Sequence, residues 1–368
     1  MMIKCFRRLL PLLLLSALLF PSSAMASGFW RTVSGDLPQE EQWLPVSEYT
    51  GEIRMTFLGD CTLGGESPSR YRTIDFAARI AENGPEFPFR ELVRLTAEDD
   101  LTVANLEGVL SDRKLSKAKK KYNFIGPASY TEILTLGSVE CVTLANNHSH
   151  DYGEPGYRDT KAALEDAGVC WFGPDAPAIW QSDEGLRIGF LGVSGSLSGD
   201  RAKQYQKQAQ KLRDAGCAAI VTVMHAGTEY SYDPPDNYQK QITNYAVPLS
   251  DLIIGHHPHV VQGYKILDGV PVVYSLGNCS FGGNTMPKDF DALVVQAVLS
   301  FTEGELKQID LHFYPISVSS DSHYNNYSPR FLTGEDAERV LQKLEKSTGM
   351  DPGEWDETEG AVVSVTVD

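Results

Sequence analysis

From Gly51 to Gly255 short apolar runs alternate with helical patterns, and this alternation limits the fold more than any other feature of the chain. The runs are IRMTFLG (53–59), LTVAN (101–105), VECVTLA (139–145), LRIGFLGVS (186–194), AAIVTVMH (218–225) and DLIIG (251–255). Continuous apolar runs of this length read as strands buried on both faces. Helical patterns fall near 73–82, 89–98, 128–136, 155–167, 202–215 and 236–247. Strands separated by helices imply βαβ units and an α/β fold whose sheet is covered on both sides. Beyond Gly255 the pattern changes to HVVQG, YKILDG, VPVVYSLGN, DALVVQAVLSF and LKQIDLHFYP, with DG and EG turns. This half is expected to be largely antiparallel. A helix near 335–347 and a strand AVVSVTV follow it, and residues 331–368 are expected to pack on the main domain.

The first 26 residues read as a secretory signal: Lys4, Arg7 and Arg8, an apolar run from Leu9 to Phe20, then small residues ending at Ala26. Such a chain is expected to be secreted or to sit on the outer face of the cell envelope, anchored if the signal stays uncleaved. Residues 27–46 lack periodicity and read as a leader. Cleavage would remove three positive charges, taking the formal charge from −17 to −20. So acidic a chain has no net field to attract a phosphate backbone, which argues against nucleic acid as a partner. Five cysteines follow the signal, Cys61, Cys141, Cys170, Cys217 and Cys279. Their number is odd and their spacing wide, so they read as small core residues and not as a disulfide framework.

In an α/β sheet the ligand crevice lies at the carboxyl ends of the strands. Asp60 follows the first run, Asn105 and Glu107 the second, and the third runs into LANNHSHDYG. His225 ends the fifth, and the sixth leads into IIGHHPHVVQG with His256, His257 and His259. Six of the chain's 8 histidines fall in these segments, a clustering that helix caps and core packing do not produce. Carboxylate, carboxamide and imidazole together suit Mn, Fe or Zn in a hydrolytic site. Asn147 would then be a neutral oxygen ligand, and His148, turned differently, an acid or base toward substrate. Asn105, Asn146 and His256 at the same strand ends, Glu229 and Tyr230 after His225, and Asn278 in YSLGN are expected on the substrate side of the crevice. The run RKLSKAKKKY, 113–122, reads either as a solvated loop or as a lid that attracts an anionic polymer.

The segments GDCTLGGE, ANLEGVL, LANNHSHDYGEPG, VMHAGTEY, GHHPHVVQG and VVYSLGNCSF, in that order, resemble the CapA family of poly-γ-glutamate capsule synthesis proteins. That family's fold is similar to calcineurin-type metallophosphoesterases. The resemblance covers roughly Ile53 to Pro315 and implies, for a domain over 47–330, a four-layer αββα sandwich, two mixed sheets flanked by helices, with one or two divalent metal ions at the strand ends. It implies Asp60 as first acidic ligand, Glu107 near the usual bridging position and Asn147 as the asparagine ligand. His225 and His257 would complete one ion's shell, and His259 would join Asp60 on the other. His148 would be catalytic, oriented by Asp151. The phosphoesterase pattern begins DxH, whereas this chain has Asp60, Cys61, Thr62, so one imidazole ligand is missing. The expected substrate is an anionic polymer or phosphoester, in association with the capsule machinery of the envelope. A non-catalytic polymer-binding component and a general secreted phosphatase are the alternatives.

Overall fold

A computed structural model describes residues 28–33, 48–67, 69 and 73–367. The signal read at 1–26 and most of the leader lie outside the described residues.

Two mixed sheets stack face to face. One has the strand order Trp355–Asp356, Gly360–Thr366, Glu305–Ser317, Asp291–Thr302, Gly51–Thr62, Leu101–Leu106, Cys141–Thr143, Cys170–Phe172. Asn278–Phe281 adds to it beside Gly51–Thr62, and Arg330–Phe331 beside Glu305–Ser317. The other runs Gly28–Thr32, Ala178–Ser182, Arg187–Ser194, Ala219–His225, Leu252–His256, Val270–Leu276, Val261–Leu267. Strands joined through helices are parallel, as crossover connections require, and the hairpin strands are antiparallel. Val270–Leu276 is an exception in the expected antiparallel half, pairing parallel with Leu252–His256.

Side chains alternate across each strand and so divide the apolar residues into layers. Met55, Phe57, Val103, Val295 and Phe313 of one sheet meet Trp180, Phe190, Val221, Ile254 and Val273 of the other between the sheets. Leu58, one residue on from Phe57, instead joins an outer layer with Phe76, Ile133, Leu134 and Leu164. On the opposite side Leu191, Ile220 and Ile253 pack on Tyr205, Leu212, Tyr238 and Ile242. The architecture is the expected sandwich, helix on sheet on sheet on helix. Truncating the fully buried Phe57 to Ala should cost about 3–5 kcal/mol.

The helix Gly334–Thr348 places Ala337, Val340, Leu341 and Leu344 against the inter-sheet core beside Val261–Leu267. Gly263 permits that approach, because a Cβ there would lie 2.5 Å from the Leu344 carbonyl oxygen.

Local differences from the sequence reading have local causes. The run VECVTLA forms only Cys141–Thr143, because the Thr143 hydroxyl accepts from the Ala145 N–H (3.1 Å) and turns the chain. The helix expected at 89–98 contracts to Val93–Thr96. The one at 236–247 passes from α-helix (Asp236–Gln241) through a wide turn (Ile242–Ala246) into a tight one (Val247–Leu249), where Pro248 lacks the N–H needed to continue it. Within the aperiodic stretch read as a leader, Gly28–Thr32 is an edge strand on Ala178–Ser182. The five cysteines within the described residues are all free thiols.

Candidate metal centre

The carboxyl ends of both sheets' parallel strands meet at one edge of the sandwich. In the first sheet Asp60 is in register with Asn105 on one side and Asn278 on the other. In the second, His225 is in register with His256. Gly59 allows the 277–278 turn to close on Asp60: a Cβ at Gly59 would lie 2.4 Å from the Gly277 oxygen, which accepts from the Asp60 N–H at 3.0 Å.

Asp60 is fully buried. Its Oδ1 accepts from Asn105 Nδ2 (2.7 Å) and its Oδ2 from the His257 backbone N–H (3.2 Å). The Nδ1 atoms of His259, His256 and His225 lie 3.1, 3.3 and 3.8 Å from its oxygens. Burial alone would push this carboxyl up, but the close imidazoles of His256 and His259 and the charges of His259 and His225 outweigh it, holding Asp60 well below the usual carboxylate range. His259 shows the reciprocal effect: burial opposes its charge, yet Glu107 and Asp60 raise it to about 9. A cation binding there must displace that proton.

Glu107, one residue past Leu101–Leu106, has the opposite environment. It is fully buried, and neither carboxylate oxygen has a hydrogen-bond partner. His225 Nε2 lies 3.6 Å and His148 Nε2 3.7 Å from its Oε1. Burial, and then the charge of Asp60, push its carboxyl well above the usual range. A buried carboxylate left in this state requires a proton or a cation. Asp60, Glu107 and His225 each offer a ligand atom, all within 4.8 Å of one another, and this mixed oxygen and nitrogen set fits a divalent metal. Glu229, His257 and His259 form a second such group.

The crowding of LANNHSHDYG has a structural explanation. Asn146 Oδ1 accepts from the His148 N–H (3.0 Å) and the Ser149 hydroxyl (2.9 Å), while its Nδ2 donates to Asn105 Oδ1 (3.0 Å) and the Leu106 carbonyl (2.8 Å). Asn146 therefore shapes the loop, and Asn147 and His148 are what the loop presents. Asn147 Oδ1 lies 2.9 Å from His225 Nε2. His148 Nδ1 is 2.7 Å from Asp151 Oδ2, and its ring stacks on Phe124 at 4.3 Å. Burial lowers the His148 pKa despite Asp151, so near neutral pH the ring carries one proton. With that proton on Nδ1 facing Asp151, Nε2 can take another from a reacting group.

A cavity of about 770 Å³ opens beside these groups, lined by His148, His259, Glu229, Tyr230, Phe124 and Phe281 among others. Of the residues expected to face substrate, Glu229 and Tyr230 line it. Asn105, Asn146, His256 and Asn278 do not: they are buried against other site residues, Asn278 Oδ1 lying 2.9 Å from His259 Nδ1. Lys120, one of the lysines of the basic run, also reaches the site. Its Nζ donates to the Asn147 carbonyl (2.7 Å), lies 3.1 Å from His148 Nδ1 and pairs with Asp151. The Phe124 N–H also donates to Asp151 (2.6 Å), and no pattern in the sequence singles Lys120 out of the run.

The chain matches the family described as "Bacterial capsule synthesis protein PGA_cap" over residues 54–282, more than half its length. It is 27% identical to the capsule biosynthesis protein CapA of Bacillus anthracis over 335 residues, covering 83% of this chain and 76% of that one. It is 28% identical to the PGA biosynthesis protein CapA of Bacillus subtilis (strain 168) over 309 residues, 75% of this chain and 77% of the other. The matched residues run from within the strand Gly51–Thr62 to just past the strand Asn278–Phe281 and so contain Asp60, Glu107, the 144–151 loop, His225 and the three histidines of GHHPH. The chain belongs to the bacterial capsule synthesis family of CapA proteins.

Proposed function

We propose that this is an exported protein of capsule or envelope polymer biosynthesis whose strand-end site is a cation-dependent hydrolase centre acting on a phosphoester or amide-type bond of an anionic polymer. The observation that carries the proposal is Glu107, a fully buried carboxylate with both oxygens unpartnered beside Asp60 and His225. A divalent ion (Mn, Fe or Zn) held by these three, with Asn147, His257 and His259 adjoining, would lower the pKa of water and polarise a phosphoryl or carbonyl oxygen. His148 exchanges a proton with the substrate at Nε2, and Asp151 holds the proton on Nδ1 and steadies the imidazolium that results. Phe124 and Phe281 keep water from that side of His148 and His259. The N-terminal signal supports export, and the capsule names of the relatives support the polymer.

Turnover of a generic phosphodiester or of polyglutamate by the purified chain should be lost on chelation, restored by Mn, and lost again in His257→Ala. Indifference to both chelation and His257→Ala would remove the enzymatic reading. The exposed Lys114, Lys117, Lys119 and Lys121 favour a second reading, a component that holds an anionic polymer without cleaving it. That reading predicts salt-sensitive polymer binding that survives His148→Ala.

A further inference from the structure

We infer that Glu229 is a metal ligand and not a substrate contact, and that with His257 and His259 it forms an outer cation position distinct from the buried Asp60, Glu107 and His225. The inference rests on the cation-dependent reading above and extends it to a residue from another loop. The loop after His225 is bound to the GHHPH turn by two backbone hydrogen bonds, Ala226 N–H to the His256 oxygen (3.1 Å) and Tyr230 N–H to the Pro258 oxygen (2.8 Å). These bring Glu229, His257 and His259 together so that each offers a ligand atom within 4.8 Å of the others.

The backbone there is held in a costly form. Tyr230, His257 and His259 have φ of +60°, +99° and +57°, a region that side chains other than Gly rarely adopt. Strain of this kind, of order 1–3 kcal/mol per residue, collects where a ligand clamp must be held in place. His257 Nδ1 is buried with no hydrogen-bond partner, and His259 Nδ1 is already engaged by Asn278 and Asp60, which leaves its Nε2 to bind. Second partners of this type fix the orientation of a ligating imidazole. The inner and outer groups adjoin, with the rings of His225 and His257 4.8 Å apart. With Thr62 where the phosphoesterase pattern has histidine, the chain is one ligand short of that pattern, and Glu229 supplies a ligand from another loop.

The test is Mn(II) titration of the chelator-treated full chain, with bound ions counted by calorimetry and by the EPR signal of free Mn(II). Wild type should bind two ions. Glu229→Gln should weaken one of them by at least about tenfold and leave the other near its wild-type affinity. Glu107→Gln should do the reverse. Glu229 is exposed, so its substitution does not disturb the core, and circular dichroism checks the fold. A single wild-type ion weakened by both Glu229→Gln and Glu107→Gln would overturn the separate outer position. Glu229→Gln binding as wild type does, whether one ion or two, would overturn the inference. Glu107→Gln without effect would separately remove the inner site, and a wild type that binds no ion would remove both.

Discussion

The strand Leu101–Leu106 has acids at both ends, and their hydrogen bonding differs. At its amino end the carboxylates bond to the chain itself: Asp100 Oδ2 accepts from the Arg54 N–H (2.8 Å), Glu140 Oε2 from the Thr102 N–H (2.7 Å) and Asp99 Oδ2 from the Thr102 hydroxyl (2.7 Å). At its carboxyl end Glu107 accepts from nothing, although it is more deeply buried. Strand starts present N–H groups that a carboxylate can cap, and the crevice past the strand ends presents none to Glu107. The first set completes the fold, whereas Glu107 is completed by something that binds.

The sharpest way to break this contrast is Glu107→Gln. It should remove the inner ion's share of the rise in melting temperature that Mn(II) gives the chelator-treated chain, a stabilisation of about 2.7 kcal/mol when the free ion is at 100 times that site's Kd, and leave the share of the ion at Glu229. Turnover should fall to background in the same variant. The metal-free variant should be at least as stable as wild type, because an amide in place of a buried, unpaired carboxylate lowers a desolvation cost. A metal-free variant that melts well below wild type would mean that Glu107 supports the fold and that the contrast is false.

A smaller effect separates holding the ion from moving the proton. His148→Ala should lower turnover about 10²–10⁴-fold while Mn(II) affinity stays near wild type. Asp151→Asn should lower turnover as well, because it also loosens Lys120 and the Phe124 N–H from the loop. If His148→Ala abolished ion binding instead, His148 would belong with the ligands.

How much of this could be read in the sequence follows the same division. The strand ends were legible because apolar runs of Val, Ile and Leu stop abruptly at Asp60, Asn105, His225 and His256, and the crevice rule places whatever follows such runs. Division of labour within the site was not legible. Asn105 and Asn146 look like substrate contacts in one dimension, but fold inward because their amides join Asp60 to the 144–151 loop, a pairing between residues 41 to 45 positions apart. Lys120 was hidden for a similar reason: six cations in a run of ten look alike until the loop's path over Asp151 selects one. The edge strand Gly28–Thr32 carries no alternation to find, since all five of its residues are half-buried.

The smallest expected effect tests the amino end of the comparison through pH. Burial first, then the charges of Glu140 and Asp100, raise Asp99 to about 8, and burial raises Glu140 to about 7. In the unfolded chain these groups titrate near ~3.9 and ~4.3, so folding takes up protons between those limits. Their contribution to stability is full below about pH 4 and is lost as pH rises towards about 8. Both side chains are only half-buried, so water damps the loss. In urea midpoints of the metal-free chain, measured from pH 5 to pH 9, the wild type should therefore lose stability relative to Asp99→Asn as pH rises, because the variant lacks the larger shift. Working without metal keeps the strand-end site out of the comparison only in part, because Glu107 also takes up a proton on folding. The Asp99→Asn difference is therefore measured again in the Glu107→Gln background, where additivity is expected for two sites at opposite ends of a strand. Equal slopes for wild type and Asp99→Asn in both backgrounds would show that Asp99 is ionised throughout and costs the fold nothing.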